Sequence, residues 1–216
     1  MALTYKKRGI ILERIKKVSL LIILTVFCSF MSFETYFDLN AKELANQQFK
    51  WLIIDSIFAI LLFILTYLIY KKTKHSEMVI PLKKKIVITI GFTILALAIN
   101  YSYGLLIDTT PNQELINAAI AKAPILVAFQ TRLFAPITEE IIWRGIFMNL
   151  FFTNNTKLAK FMRVFLSGLL FGFVHTYSFG IELLLDSIMG WVLASVYHFT
   201  KDIRCPIIVH LALNNI

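Results

Sequence analysis

Six side chains in the C-terminal part of this chain have the types and spacing to do chemistry: Glu139, Glu140, Arg144, His175, His210 and Asn214. All sit inside strongly apolar stretches, where an ionisable group is expensive to hold and is a functional candidate by default. In Thr138-Glu139-Glu140-Ile141-Ile142-Trp143-Arg144, a helix places Glu140 and Arg144 at i and i+4, with the acid on the N-terminal side, the favourable order. In an apolar setting that pair is expected to be close. Glu139 lies about 100° further round the same helix and has no such neighbour, so its partner must come from another helix. A buried ion pair with a spare Glu held by interhelical hydrogen bonds is the structural alternative.

Phe171 and His175 are i and i+4 in a later block, and His210 and Asn214 are i and i+4 in the last one, so each pair shares a helix face. Counting at 1.5 Å per residue from the block ends that carry the basic loops, Glu139 lies roughly 20 Å deep, His175 roughly 21 Å, His210 roughly 9 Å and Asn214 roughly 15 Å. Those depths overlap, so one cavity can collect the groups. A carboxylate and an imidazole can deprotonate a water together, and a second His with an Asn can donate to a developing oxyanion. That set describes direct attack of water on an amide. A covalent route has no support: Cys205 lies at an interface end and no Ser sits in a recognisable elbow. The His-Glu-x-x-His zinc motif is absent, yet His175, His210 and one Glu could still ligate a divalent metal such as zinc. The residues leave the metal open.

The elements that must position these groups are hydrophobic blocks at about 18–33, 51–70, 86–107, 124–152, 161–180, 181–199 and 204–216. The chain of 216 residues is 58% hydrophobic and 16% charged, with mean hydropathy +0.72. A soluble domain would carry about 25% charge. The excess is gathered into blocks, which excludes a soluble domain, a disordered chain and a disulfide scaffold, and the blocks do not alternate as barrel strands would. The expectation is an all-α, polytopic transmembrane helix bundle of about seven hydrophobic segments, with its active site within the membrane. Residues 1–216 form one integral membrane domain in this reading, and 124–216 its motif-bearing core. The block at 124–152 is too long for a straight span and contains Pro136, so a kink or tilt is expected. The last block is too short to cross alone. Tyr36 and Phe37 are expected as interface anchors of the first span, and 111–122 as a short helix on the outer interface.

Basic residues set the orientation. With the N-terminus inside, 17 Lys and Arg fall on inner segments and 3 on outer ones (Lys42, Lys50 and Lys122). The net charge of +9 therefore reads as topology and gives no reason to expect nucleic acid. No cleavage site follows the first block, which is read as a retained span. Cys28 and Cys205 read as small apolar fillers. Asp55 is the lone charge of its block; Asp186 reads as an interhelical contact, Tyr197 and His198 as interface anchors, His75 and Lys83-Lys84-Lys85 as solvated or lipid-facing.

Glu139-Glu140-x-x-x-Arg144, then Phe171-x-x-x-His175, then His210-x-x-x-Asn214, resemble the ordered motifs of the CAAX-protease and bacteriocin-processing (CPBP or Abi) intramembrane peptidases, relatives of the eukaryotic Ras-converting CAAX prenyl endopeptidase. The stretch Met189-Gly190-Trp191 to Thr200, and Cys205-Pro206-Ile207-Ile208-Val209-His210, has the same look. The resemblance covers about residues 124–216. It implies Glu139 as the water-activating base assisted by His175, His210 and Asn214 as the oxyanion hole, and Glu140 with Arg144 as support. It further implies a peptide or protein substrate, prenylated or membrane-associated, and a role in bacteriocin processing or self-immunity; the blocks and the basic-residue bias give the expectation of a multi-pass place in the cell membrane with a cytoplasmic N-terminus. The chain stops two residues after Asn214, where relatives continue, so an incomplete last helix is expected. The competing expectations are a non-enzymatic immunity or scaffold protein, and a proton-coupled transporter using Glu139 and His175.

Overall fold

The computed structural model describes residues 2–29, 41–74, 79–106, 109, 111–176 and 179–216. Every regular element among them is helical. In chain order these are α1 (Ala2–Ser29), α2 (Ala41–Thr73), α3 (Leu82–Leu106), α4 (Pro111–Lys122), a composite helix α5, then α6 (Lys157–Thr176), α7 (Ile181–Thr200) and α8 (Arg204–Asn214). Helix α5 runs without a break through α-helical Pro124–Phe129, π-helical Gln130–Phe134, α-helical Ala135–Glu140, π-helical Ile141–Phe147 and α-helical Met148–Phe151. Among the described residues four helices are long and apolar enough to cross a membrane: Lys42–Thr73, Leu82–Leu105, Lys157–Thr176 and Ile181–Thr200. Seven blocks were expected; the first, 18–33, runs beyond the described residues, as do Tyr36, Phe37 and His75. The expected helix at 111–122 is present as α4.

The second half of α5 is the centre. Residues 141–149 are all buried, packed among α1, α2, α6 and α7. Outer helices show the reverse pattern, with Ile53 62%, Leu61 61% and Ile94 64% exposed. Apolar surface on that scale has no favourable contact with water and suits lipid. Hydroxyls follow the same logic: Ser56, Thr66, Thr89, Thr93 and Thr138 each donate to the carbonyl four residues back, so none needs water.

Helices α6 and α7 cross at their glycines. A Cβ built on Gly190 would meet the Gly168 carbonyl oxygen at 2.7 Å and its Cα at 2.8 Å, so the two backbones touch directly. Trp191 closes the crossing, its Nε1–H donating to the Phe165 carbonyl at 2.9 Å and its ring stacked on Phe165 at 5.6 Å. Basic side chains finish the C-terminal end of α5, where the last carbonyls lack helical donors. Lys17 Nζ donates to Leu150 at 3.2 Å and Arg163 Nη2 to Phe152 at 2.7 Å. Asn149 Nδ2 reaches the Tyr197 hydroxyl at 2.8 Å.

Helix α7 ends on Lys201, in the left-handed region at φ 56°, whose N–H donates to the Tyr197 carbonyl. The next residue ties three elements. Asp202 accepts from Lys85 of α3 at 2.9 Å and from Arg204 of α8 at 2.6 and 2.9 Å. Its carboxyl is held well below the usual carboxylate range, first by the Arg204 hydrogen bond and, against desolvation, by Lys85. A depressed folded-state pKa contributes stability above the unfolded value, about 4, that is lost as pH falls through the folded one. In detergent melts the midpoint of Asp202→Asn should therefore lie below the parent's by a steady margin from about pH 8 to about pH 5, and the margin should narrow below about pH 4. A margin that holds at about pH 2 would mean that the tie acts by packing and not by charge.

Candidate active site

Glu140 and Arg144 form the pair their spacing predicts. Oε1 lies 3.1 Å from Arg144 Nη1, and both side chains are 0% exposed. Charges this buried survive only with further partners, and three other helices provide them. From α8, His210 Nδ1 meets the same Glu140 oxygen at 2.9 Å. From α7, the Gly190 carbonyl accepts from Arg144 Nη2 at 3.0 Å, on the strip where that helix touches α6. From α6, the Phe171 ring lies 4.5 Å from the guanidinium carbon, a cation–π contact in a dry setting. Phe171 also meets His210 edge-on at 5.7 Å.

Glu139 sits in a different environment. Its Oε2 lies 3.7 Å from His175 Nε2 of α6, and the two side chains are 20% and 26% exposed. The partner demanded from another helix is thus His175. His175 Nδ1 lies 2.7 Å from the Phe171 carbonyl, which can only accept, so Nδ1 carries the proton. In the neutral ring, Nε2 then carries the lone pair and faces the carboxylate. Two acceptors 3.7 Å apart do not bond to each other, but a water between them can donate to both. Cys28 of α1 stands beside this pair, its Sγ 3.3 Å from Thr138 Oγ1. Reading Cys28 as filler gave no sign of that contact, because nothing in the sequence relates α1 to α5.

Asn214 is not gathered into the His210–Glu140 cluster. It is exposed, and its Nδ2 donates to the Thr131 carbonyl in the first π segment at 2.9 Å. His210 and Asn214 share a helix but engage different parts of α5. The donor set does not assemble a metal centre either: among the described residues no three His, Cys, Asp or Glu converge. The two His are divided, His175 to Glu139 and His210 to Glu140. An apolar groove of about 690 Å³ lies alongside, between α1, α5 and α6, with Leu21, Thr25, Trp143, Phe147, Leu170 and Val174 in its wall. Trp143 and Val174 directly precede Arg144 and His175 in the chain.

The same stretch of chain has relatives. Residues 121–216, which contain all six candidate side chains, match the family described as type II CAAX prenyl endopeptidase Rce1-like. Over these residues the chain is similar to the CAAX-protease family. A protein of Bacillus subtilis (strain 168) named "Putative membrane peptidase YdiL" is 33% identical over 103 residues, 48% of this chain. The chain spans 40% of that relative's length. No solved structure matches the chain.

Removing Arg144 would leave Glu140 charged and buried without its cation. Arg144→Ala should lose about 3–5 kcal/mol of stability in detergent melts, whereas Glu140→Gln with Arg144→Met should recover much of it. A loss of under about 1 kcal/mol for Arg144→Ala would mean that the pair is solvated in the membrane-embedded protein.

Proposed function

We propose that the chain is an intramembrane endopeptidase that hydrolyses a peptide bond by direct attack of water. The observation that carries this is the approach of Glu139 Oε2 to His175 Nε2 at 3.7 Å, with the His tautomer fixed by the Phe171 carbonyl. A water donating to both acceptors loses a proton to Glu139 as its oxygen attacks the scissile carbonyl carbon. The carbonyl oxygen becomes an oxyanion, for which His210 and Asn214 are the donors in this reading. With His210 Nδ1–H donating to Glu140, its Nε2 can donate only as the protonated ring. Collapse of the tetrahedral intermediate breaks the C–N bond. The proton taken from water passes to the leaving amine, giving a carboxylic acid and an amine.

The substrate in this proposal is a membrane-associated peptide or protein whose apolar part lies in the groove between α1, α5 and α6. The site opens toward the cytoplasm and the N-terminus is cytoplasmic. The 17-to-3 division of basic residues supports that orientation, and so does the gathering of Lys17 and Arg163 at the end of α5. Single cysteines in a background lacking Cys28 and Cys205 test it on intact cells: an impermeant reagent should label position 46 and not position 73. The opposite pattern would turn the cavity toward the outside.

Glu139→Gln and His175→Ala should each lower turnover about 10²–10⁴-fold while melting near the parent. Both side chains are partly exposed, so neither change leaves a buried charge unpaired. Turnover of a confirmed peptide at the parent's rate by Glu139→Gln would overturn the mechanism. If Glu139→Gln lost cleavage yet still protected cells from a bacteriocin, immunity would be a separate, non-enzymatic property.

A further inference from the structure

Asp55 has no part in the hydrolysis proposed above, yet it is a buried carboxylate within a span, 5% exposed. Gln130 of α5, itself 4% exposed, donates to it through Nε2 at 2.7 Å. Gln130 is the first residue of the π segment Gln130–Phe134. The reason for that segment lies six residues on. Pro136 has no N–H to give to Arg132, its α-helical acceptor four residues back. The register widens, and the Ala135 N–H donates to Gln130 instead of Thr131.

The carbonyl of Thr131 is then stranded. Its α-register donor, Ala135, is engaged with Gln130, and its π-register position is Pro136, which has no hydrogen to donate. Asn214 of α8 fills the gap, Nδ2 to Thr131 oxygen at 2.9 Å, and the next residue repeats the contact, Asn215 Nδ2 to the Arg132 carbonyl at 3.1 Å. In the second π segment a carboxamide of the same helix is used, Asn149 Nδ2 donating to the Gly145 carbonyl at 2.6 Å. A primary amide has two N–H donors. Spending one on Thr131 fixes the plane of the Asn214 amide and the direction of the other.

We propose that Asp55 is a positioning residue: through Gln130 it holds the π turn, and so the Thr131 carbonyl that aims the Asn214 amide. The catalytic consequence rests on the peptidase reading, in which Asn214 donates to the oxyanion. It assigns a task to α2, which lies outside the stretch that matches the family.

The test is a double-mutant cycle on the full chain in detergent, with Asp55→Leu, Asn214→Ala and their combination, plus Asp55→Asn, read by kcat, KM and melting midpoint. Asp55→Leu should lower kcat about tenfold or more, with KM little changed. Asp55→Asn should recover most of that loss, because its carbonyl oxygen still accepts from Gln130. On the Asn214→Ala background, Asp55→Leu should add little, because the group it aims is gone. Losses that multiply would overturn the proposal, as would a parental kcat for Asp55→Leu. A kcat as low for Asp55→Asn as for Asp55→Leu would overturn it too, pointing to the charge itself. If the parent cleaves no peptide, the peptidase reading fails, and the melting midpoints still decide the coupling. Non-additive shifts for positions 55 and 214 sustain it, and additive ones remove it.

Discussion

Two full charges with no exposed surface organise the middle of this protein. Glu140 and Arg144 lie one turn apart on α5, but one helix cannot satisfy a carboxylate and a guanidinium in an apolar interior. One group from each of three other helices adds to the pair: His210, the Gly190 carbonyl and the Phe171 ring. The glycines of the α6–α7 crossing belong to the same solution. A main-chain carbonyl already in its own helix reaches a neighbour's side chain most easily where no side chain stands in the way, and Gly190 has none. The pair therefore fixes how α6, α7 and α8 meet α5. Those same helices carry His175 and His210.

Proline does not end the helix here. Pro136 leaves α5 continuous and changes its hydrogen-bond register, so that 130–134 is wound more widely. A carbonyl without a main-chain donor inside a membrane bundle costs more than one at a wet surface, because no water replaces the donor. The bundle answers with carboxamides, Asn214 and Asn215 on the first π segment and Asn149 on the second. In the last helix, the amides act as caps for a neighbour's backbone.

The sequence disclosed most where an interaction is local. The i,i+4 spacing of Glu140 and Arg144 was enough to anticipate their pairing, and the lack of such a neighbour for Glu139 was enough to require a partner from elsewhere. Depth counting brought His175 to the right level. The all-helical class was legible from block composition, although four of the seven blocks are long and apolar enough, as described, to span. What stayed hidden was register and rotation. Shared helix face put His210 and Asn214 together, but a face about four residues long is wide enough for its two ends to meet different neighbours, Glu140 and Thr131. The excess length of 124–152 pointed to a kink or tilt, whereas the π turns at 130–134 and 141–147 left no sign in the sequence. Asp55 was visible as a charge in a span, and its partner Gln130 was not, because pairing across 75 residues leaves no periodic trace.

Two adjacent carboxylates end up with opposite fates, and the helix itself makes the difference. A step of one residue turns a side chain by about 100°, so Glu139 and Glu140 cannot face the same surroundings. Glu140 turns inward, where it meets Arg144 and His210 away from any open surface. Glu139 turns toward the partly open face between α5 and α6, where it meets a histidine whose protonated nitrogen is already committed to a carbonyl. Two residues of one type receive different partners and different exposure. The identical pair Glu-Glu is thus read by the fold as two distinct groups, and the Phe171 side chain and carbonyl connect them. The ring packs against Arg144 and His210, and the backbone oxygen sets the tautomer of His175. A shift of α6 against α5 would disturb both at once, which is why the close glycine contact with α7 matters to a site it does not touch.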